Sequence, residues 1–134
     1  MFEHFVTAQD PIYPDVLAEL RAGRKTTHWM WFIFPQLRVL GRSPTALRFG
    51  IADLDEARAF LAHSVLGPRL IECTEAVNGV SGRTAHDIFA SPDDMKFRSS
   101  MTLFAHAADE PTPFRRALAK YYEGAEDSLT LAEL

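Results

Sequence analysis

Trp29-Met-Trp-Phe-Ile-Phe-Pro35 decides the fold class. Six consecutive apolar residues ahead of a proline fit a buried strand as well as a buried helix, because a run this short carries no distinguishing period. Burying a large aromatic side chain contributes roughly 1.5–3 kcal/mol, so the whole run is expected in the core. Context favours helix. No other segment shows sustained period-2 alternation, and a lone strand would leave its backbone donors and acceptors without partners. With Pro35 closing the segment, the chain reads as all-α.

Outward from the run, the charges are lopsided. Between Leu20 and Ala52 there is no Asp or Glu, while Arg21, Arg24, Lys25, Arg38, Arg42 and Arg48 all fall there. The remaining chain holds all 18 acids against eight Lys and Arg residues, a charge of -10, and the net charge is -4. That balance argues against a dedicated nucleic-acid binder, which needs a basic surplus over the whole domain. It leaves room for a local electropositive site backed by aromatic rings.

The rest of the chain supplies helix signals in order. Phe2, Phe5 and Val6 suggest a short turn at the start. Asp10-Pro11 reads as N-cap and first residue of a helix burying Tyr13, Val16, Leu17 and Leu20, with Gly23 as the stop. Ser43-Pro44, Ser91-Pro92 and Thr112-Pro113 repeat the cap-proline pattern, and Asp53 with Glu56 forms a carboxylate version of the capping box. Leu66, Leu70, Cys73, Val77 and Val80 mark another buried face, Thr84 to Phe89 a short helix, and Ser91-Pro92 opens a helix extending to about Ala107. In the helix after Thr112, Phe114, Ala117, Leu118, Tyr121 and Tyr122 share a side. Gly124 ends it, and Asp127 caps a final turn. No repeat or linker interrupts the 134 residues, so residues 1–134 are expected to form one helical domain of about seven to nine helices.

Several classes are disfavoured. Cys73 is the only cysteine, which rules out an intrachain disulfide and fits a reducing cytoplasm. The N-terminus lacks a signal peptide's basic and apolar regions, and no apolar stretch approaches the ~20 residues that span a bilayer, so neither export nor membrane insertion is expected. The histidines at 4, 28, 63, 86 and 106 show no metal-ligand spacing, and no pattern implies a metal or another cofactor. No pattern points to a particular oligomeric state.

From Gly23 to Gln36 the sequence resembles a bacterial family catalogued as a domain of unknown function, eighteen-ten. The resemblance continues through Leu40-Gly-Arg-Ser43, Leu66-Gly-Pro-Arg-Leu70, Lys96 to Phe104, and the tail residues Gly124, Asp127, Thr130 and Leu131. Val39 stands where a glycine is expected and Phe49 where tyrosine is usual. The resemblance implies a single all-helical domain with no established activity. Members often carry the label calpastatin; that inhibitor is disordered, which requires low hydrophobicity and high net charge, and this chain has the opposite composition.

Candidate functional residues follow from charge and placement. Arg24, Lys25 and His28 precede one predicted helix start and Arg42 another, so these cations are candidates for binding an anion. Trp29 or Trp31 would offer a ring face, and Gln36, held by Pro35, a polar contact. In the helix after Pro92, Lys96 and Ser100 sit one turn apart within the apolar arc. A lysine so placed could activate Ser100 as a nucleophile or hold a phosphate or a carboxylate. It could equally snorkel, with Ser100 bonded to the carbonyl four residues back. The favoured function is therefore a binding module for a small anionic ligand, nucleotide or phosphate-bearing, at Arg24, Lys25, His28, Trp29, Gln36, Arg42 and Lys96. An enzymatic alternative is an N-glycosidase acting on ADP-ribose-type substrates, because Phe5-x-x-Ala-Gln9 is similar to a segment of a helical family that handles such compounds. A third is a protein-interaction domain that presents the basic window to an acidic partner.

Overall fold

Glycines, prolines and short capping side chains cut the chain into ten α-helices, as seen in a computed structural model that describes residues 1–134. They are α1 (Glu3–Gln9), α2 (Tyr13–Arg21), α3 (Met30–Ile33), α4 (Pro44–Arg48), α5 (Leu54–Ala62), α6 (Leu66–Asn78), α7 (Ala85–Phe89), α8 (Asp93–Ala107), α9 (Thr112–Tyr122) and α10 (Ser128–Leu131), with a 3₁₀ turn at Arg38–Leu40. The fold is all-α. Its one extended pairing is an isolated parallel bridge between Leu37 and Ile51.

α8 is the axis of the structure. It packs against α5, α7, α9 and α10, and Phe97, Met101, Leu103 and Phe104 are all fully buried. A helix covered on several sides has little need of a polar stripe, which is why Ser100 and Thr102 are buried along with its apolar residues. Around it, α6 binds α2, α5 and α9 through Leu66, Leu70, Cys73 and Val77, the face that the sequence spacing predicts. Gly67 lets α6 approach the end of α5: a Cβ there would lie 2.0 Å from the Leu61 carbonyl oxygen. Phe114, Ala117 and Leu118 of α9 are buried as expected, while Tyr121 and Tyr122 are partly covered.

The central aromatic run departs from expectation. Only Met30–Ile33 is helical, a single turn, and the burial is divided: Trp29, Met30, Ile33 and Phe34 are core, whereas Trp31 and Phe32 are only partly covered. One turn cannot turn six side chains to the same interior.

The cap-proline pattern also needs correction at three of its four positions. Ser43 caps α4 by accepting from the Ala46 N–H. Asp10 instead ends α1, and α2 starts at Tyr13 with Pro14 in its first turn; Asp10 pairs with Arg69 at 2.9 Å. α8 and α9 begin one residue away from the predicted positions, with Pro92 and Pro111 in the N-cap place and no side-chain cap. Side-chain caps come from Ser43, Asp53, Thr84 and Asp127, the last as predicted. At Asp53 the box is offset: the Glu56 carboxylate accepts from the Ala52 N–H, one residue early. No helix is long and apolar enough to cross a membrane.

Candidate functional site

The basic window begins where α2 stops. Gly23 adopts φ +74°, and two bonds, from the Gly23 N–H to the Leu20 carbonyl and from the Arg24 N–H to the Glu19 carbonyl, close the helix end in the pattern typical of a left-handed glycine. The chain then reverses over α2, and Glu19 holds it there. Its carboxylate accepts from the backbone N–H groups of Thr26 (2.6 Å) and Thr27 (2.9 Å), the Thr27 hydroxyl (2.6 Å) and the indole N–H of Trp29 (3.1 Å). Burial pushes the Glu19 carboxyl up, but these four donors outweigh it and bring the pKa down to about 2. The loop therefore owes its shape to an acid just outside the acid-free window.

This anchored loop lies against the start of α8. The Lys25 N–H donates to the Ile88 carbonyl at 2.7 Å, and the Lys25 ammonium meets Asp93 at 2.9 Å with only 7% of its side chain exposed. Lys96, one turn along α8, approaches the same carboxylate from the other side at 3.9 Å, with 27% of its side chain exposed. Each ammonium also faces an indole, Lys25 over Trp29 at 5.1 Å and Lys96 over Trp31 at 5.5 Å. Between loop and helix is a cleft of about 370 Å³ bordered by Lys25, Thr26, His28, Trp31, Ser91 and Lys96, with Asp93 also in its wall.

The structure thus brings Lys25, His28 and Lys96 to one cleft. Gln36 and Arg42 border a second cleft of about 440 Å³ on the far side of Lys96. Arg24 is exposed, lines neither cleft, and makes no side-chain bond within the protein. Trp29 cannot present a ring to a ligand: it is 1% exposed and its N–H is taken by Glu19. Trp31 is the half-covered indole at the cleft. The helices after Arg24–Lys25 and Arg42 are only four and five residues long, too short to add an N-terminal field of their own.

Ser100 is fully buried, and its hydroxyl has no hydrogen-bond partner; neither Lys96 nor the carbonyl four residues back binds it. It lines none of the clefts, so an exposed Ser-Lys nucleophile is not built here. Phe5 and Gln9 are likewise core residues. Gln9 donates to the Phe32 carbonyl at 2.7 Å and accepts from Arg69 at 3.3 Å. Cys73 is buried beside Tyr13, and burial pushes its thiol up to about 12, far from a reactive thiolate.

Two residues central to this geometry carry no obvious sequence signal. Asp93 reads as a helix-dipole acid, yet it is the shared partner of two lysines. Glu19 reads as a solvated residue of an amphipathic helix, yet it organises the loop. A useful clue was the acid-free window itself: cations without local partners recruit acids from elsewhere in the fold.

Comparison with known proteins bears on the family. No curated protein matches the chain. A crystal structure of the conserved hypothetical protein Rv1873 from Mycobacterium tuberculosis is similar to it at 59% identity, covering 98% of this chain and 94% of that one, with a TM-score of 0.97. The family model described as protein of unknown function (DUF1810) matches residues 1–134. The chain therefore belongs to that family, whose description assigns no activity.

Proposed function

We propose that the protein binds a small phosphate-bearing anion, of nucleotide size, in the cleft between the Thr26–Trp31 loop and the start of α8. The observation that carries this reading is the sharing of one carboxylate, Asp93, by two partly buried ammonium groups, Lys25 and Lys96. One positive charge is left without a partner in a place partly withdrawn from water. Taking a charge even partly out of water costs free energy unless something answers it, and an incoming anion does so. The surrounding chemistry suits a phosphate: the side chains of Thr26 and His28 make no bonds within the protein, while the Ser91 hydroxyl at the rim is engaged by Asp94 and His86. Trp31 offers an apolar surface beside the charges.

The test is a thermal-shift screen with pyrophosphate, AMP and ADP-ribose on the parent and on Lys96→Met. A ligand at a hundredfold excess over its Kd stabilises by about 2.7 kcal/mol. Lys96→Met leaves Asp93 with Lys25, so the unliganded variant should be at least as stable as the parent while the ligand-induced shift is lost. No shift with any of the three anions, or shifts that Lys96→Met does not alter, would remove the proposal.

A further inference from the structure

The cationic cleft does not end at Lys96. Lys96 and Pro92 border both it and the second cleft, and Lys96 also borders a small void of about 10 Å³ together with Trp31 of the first cleft and Gln36 of the second. The two halves differ in chemistry. Around Lys25 the walls are hydroxyls and charge, with two ammonium groups to one carboxylate. Beyond Lys96 the walls are Val39, Leu40, Met95 and Leu129, together with Arg42 and with Asp127, whose carboxylate already accepts from Ser99 and Thr130. Met95 is 68% and Leu129 66% exposed, an unusual concentration of bare apolar surface at one edge of a cleft. Gln36 stands at the junction, its side-chain amide unbonded within the protein.

From this juxtaposition we infer that the two clefts are one bipartite site, whose ligand has a phosphate at the Lys25 end and an uncharged planar heterocycle at the Met95–Leu129 end, with Lys96 spanning the join. The inference rests on the anion-binding reading and adds to it the class of ligand, a nucleoside monophosphate. The walls rather than the charge set the orientation, because each half has two cations to one carboxylate, with Lys96 common to both. The Lys25 half offers a phosphate the unbonded side chains of Thr26 and His28, whereas the second half is walled by Val39, Leu40, Met95 and Leu129. The heterocycle in turn needs what the second half has: apolar walls, and a free amide able both to donate to and to accept from a ring edge. Each cleft lies within the roughly 300–1,000 Å³ of small-molecule sites, so neither half is too small for its share of such a ligand.

Titration calorimetry with three probes, inorganic phosphate, adenosine and AMP, separates the halves. The parent should bind AMP at least tenfold more tightly than phosphate. Met95→Ser and Leu129→Ser, both at exposed positions where the fold is not at risk and both without change of charge, should each erase most of that advantage and leave phosphate binding as it was. Lys25→Met or Lys96→Met should weaken phosphate and AMP alike, and circular dichroism would confirm that each variant is folded. Equal affinities for phosphate and AMP, or AMP binding indifferent to both Ser substitutions, would overturn the bipartite site while leaving the anion site standing. Binding of neither phosphate nor AMP would overturn both.

Discussion

Replacing Glu19 by Gln should destabilise the protein in a way that depends on pH. The carboxyl has an ordinary value of 4.5 and is held at about 2 in the folded chain, because four donors converge on it. Between those values the unfolded chain binds more protons, so stability rises with pH there. The contribution is complete above 4.5 and is lost as pH falls through about 2. At 1.36 kcal/mol per pKa unit the ceiling is about 3 kcal/mol, and the partial exposure of the carboxylate brings the expectation nearer to 1–2 kcal/mol. Gln keeps one acceptor oxygen but no charge. Glu19→Ala removes every acceptor and strands the buried Trp29 indole N–H, which should add a further cost of about 1–3 kcal/mol. Urea unfolding of the parent and Glu19→Gln at pH 7 and near pH 3 would measure the difference. The gap should be full at pH 7, and less than half of it should remain at about pH 3. A gap that does not change with pH, or none at neutral pH, would refute the claim that the ionised carboxylate organises the loop.

Three further outcomes follow from packing and backbone geometry. Gly67→Ala should destabilise by roughly 1–3 kcal/mol in denaturant unfolding, against the helix preference for alanine, because its Cβ would strike the Leu61 carbonyl oxygen at 2.0 Å and backbone cannot easily move aside. Ala90→Gly should raise the melting temperature, corresponding to a gain of up to about 1 kcal/mol, since Ala90 is exposed at φ 58°, ψ 177°, a region that only glycine occupies without strain. Trp29→Ala should cost about 3–5 kcal/mol and the half-covered Trp31→Ala distinctly less, measured by the same unfolding curves; equal costs would mean that the two indoles do not divide core and cleft between them.

Much of the helical framework was legible because its cause is local. The spacing of Leu66, Leu70, Cys73 and Val77 follows from 3.6 residues per turn, and Ser43, Asp53, Thr84 and Asp127 satisfy donors three residues away. Helix starts near Pro11, Pro92 and Pro113 were shifted because proline suits several positions of a first turn and so does not fix which one it takes. Hydrophobicity predicts a uniformly buried aromatic run because it says nothing of direction; a single turn sends Trp31 and Phe32 towards the surface. Lys25, His28 and Lys96 were legible as candidates, but the pairing of Lys25 with Asp93 was not, since it depends on how the loop after α2 lies across the start of α8. Gln36 and Arg42 were legible as polar groups near the run, and the Lys96 divide between their cleft and that of Lys25 only in three dimensions.

The bridge between Leu37 and Ile51 has a consequence for local opening. Two main-chain bonds, from the Arg38 N–H to the Ile51 carbonyl and from the Ile51 N–H to the Gln36 carbonyl, tie the ends of the segment running from Arg38 to Gly50. That segment holds the 3₁₀ turn and α4, and its main inward anchor is the ring of Phe49, set among Phe5, Phe32 and His4. It is stitched at its base and pinned at one point, so its amides should exchange with solvent as a block, faster than those of α8 and without global unfolding. Val39, Leu40 and Arg42 ride on this flap. Anything seated against them would slow the exchange of the whole block, giving a readout of occupancy that depends on no enzymatic assay.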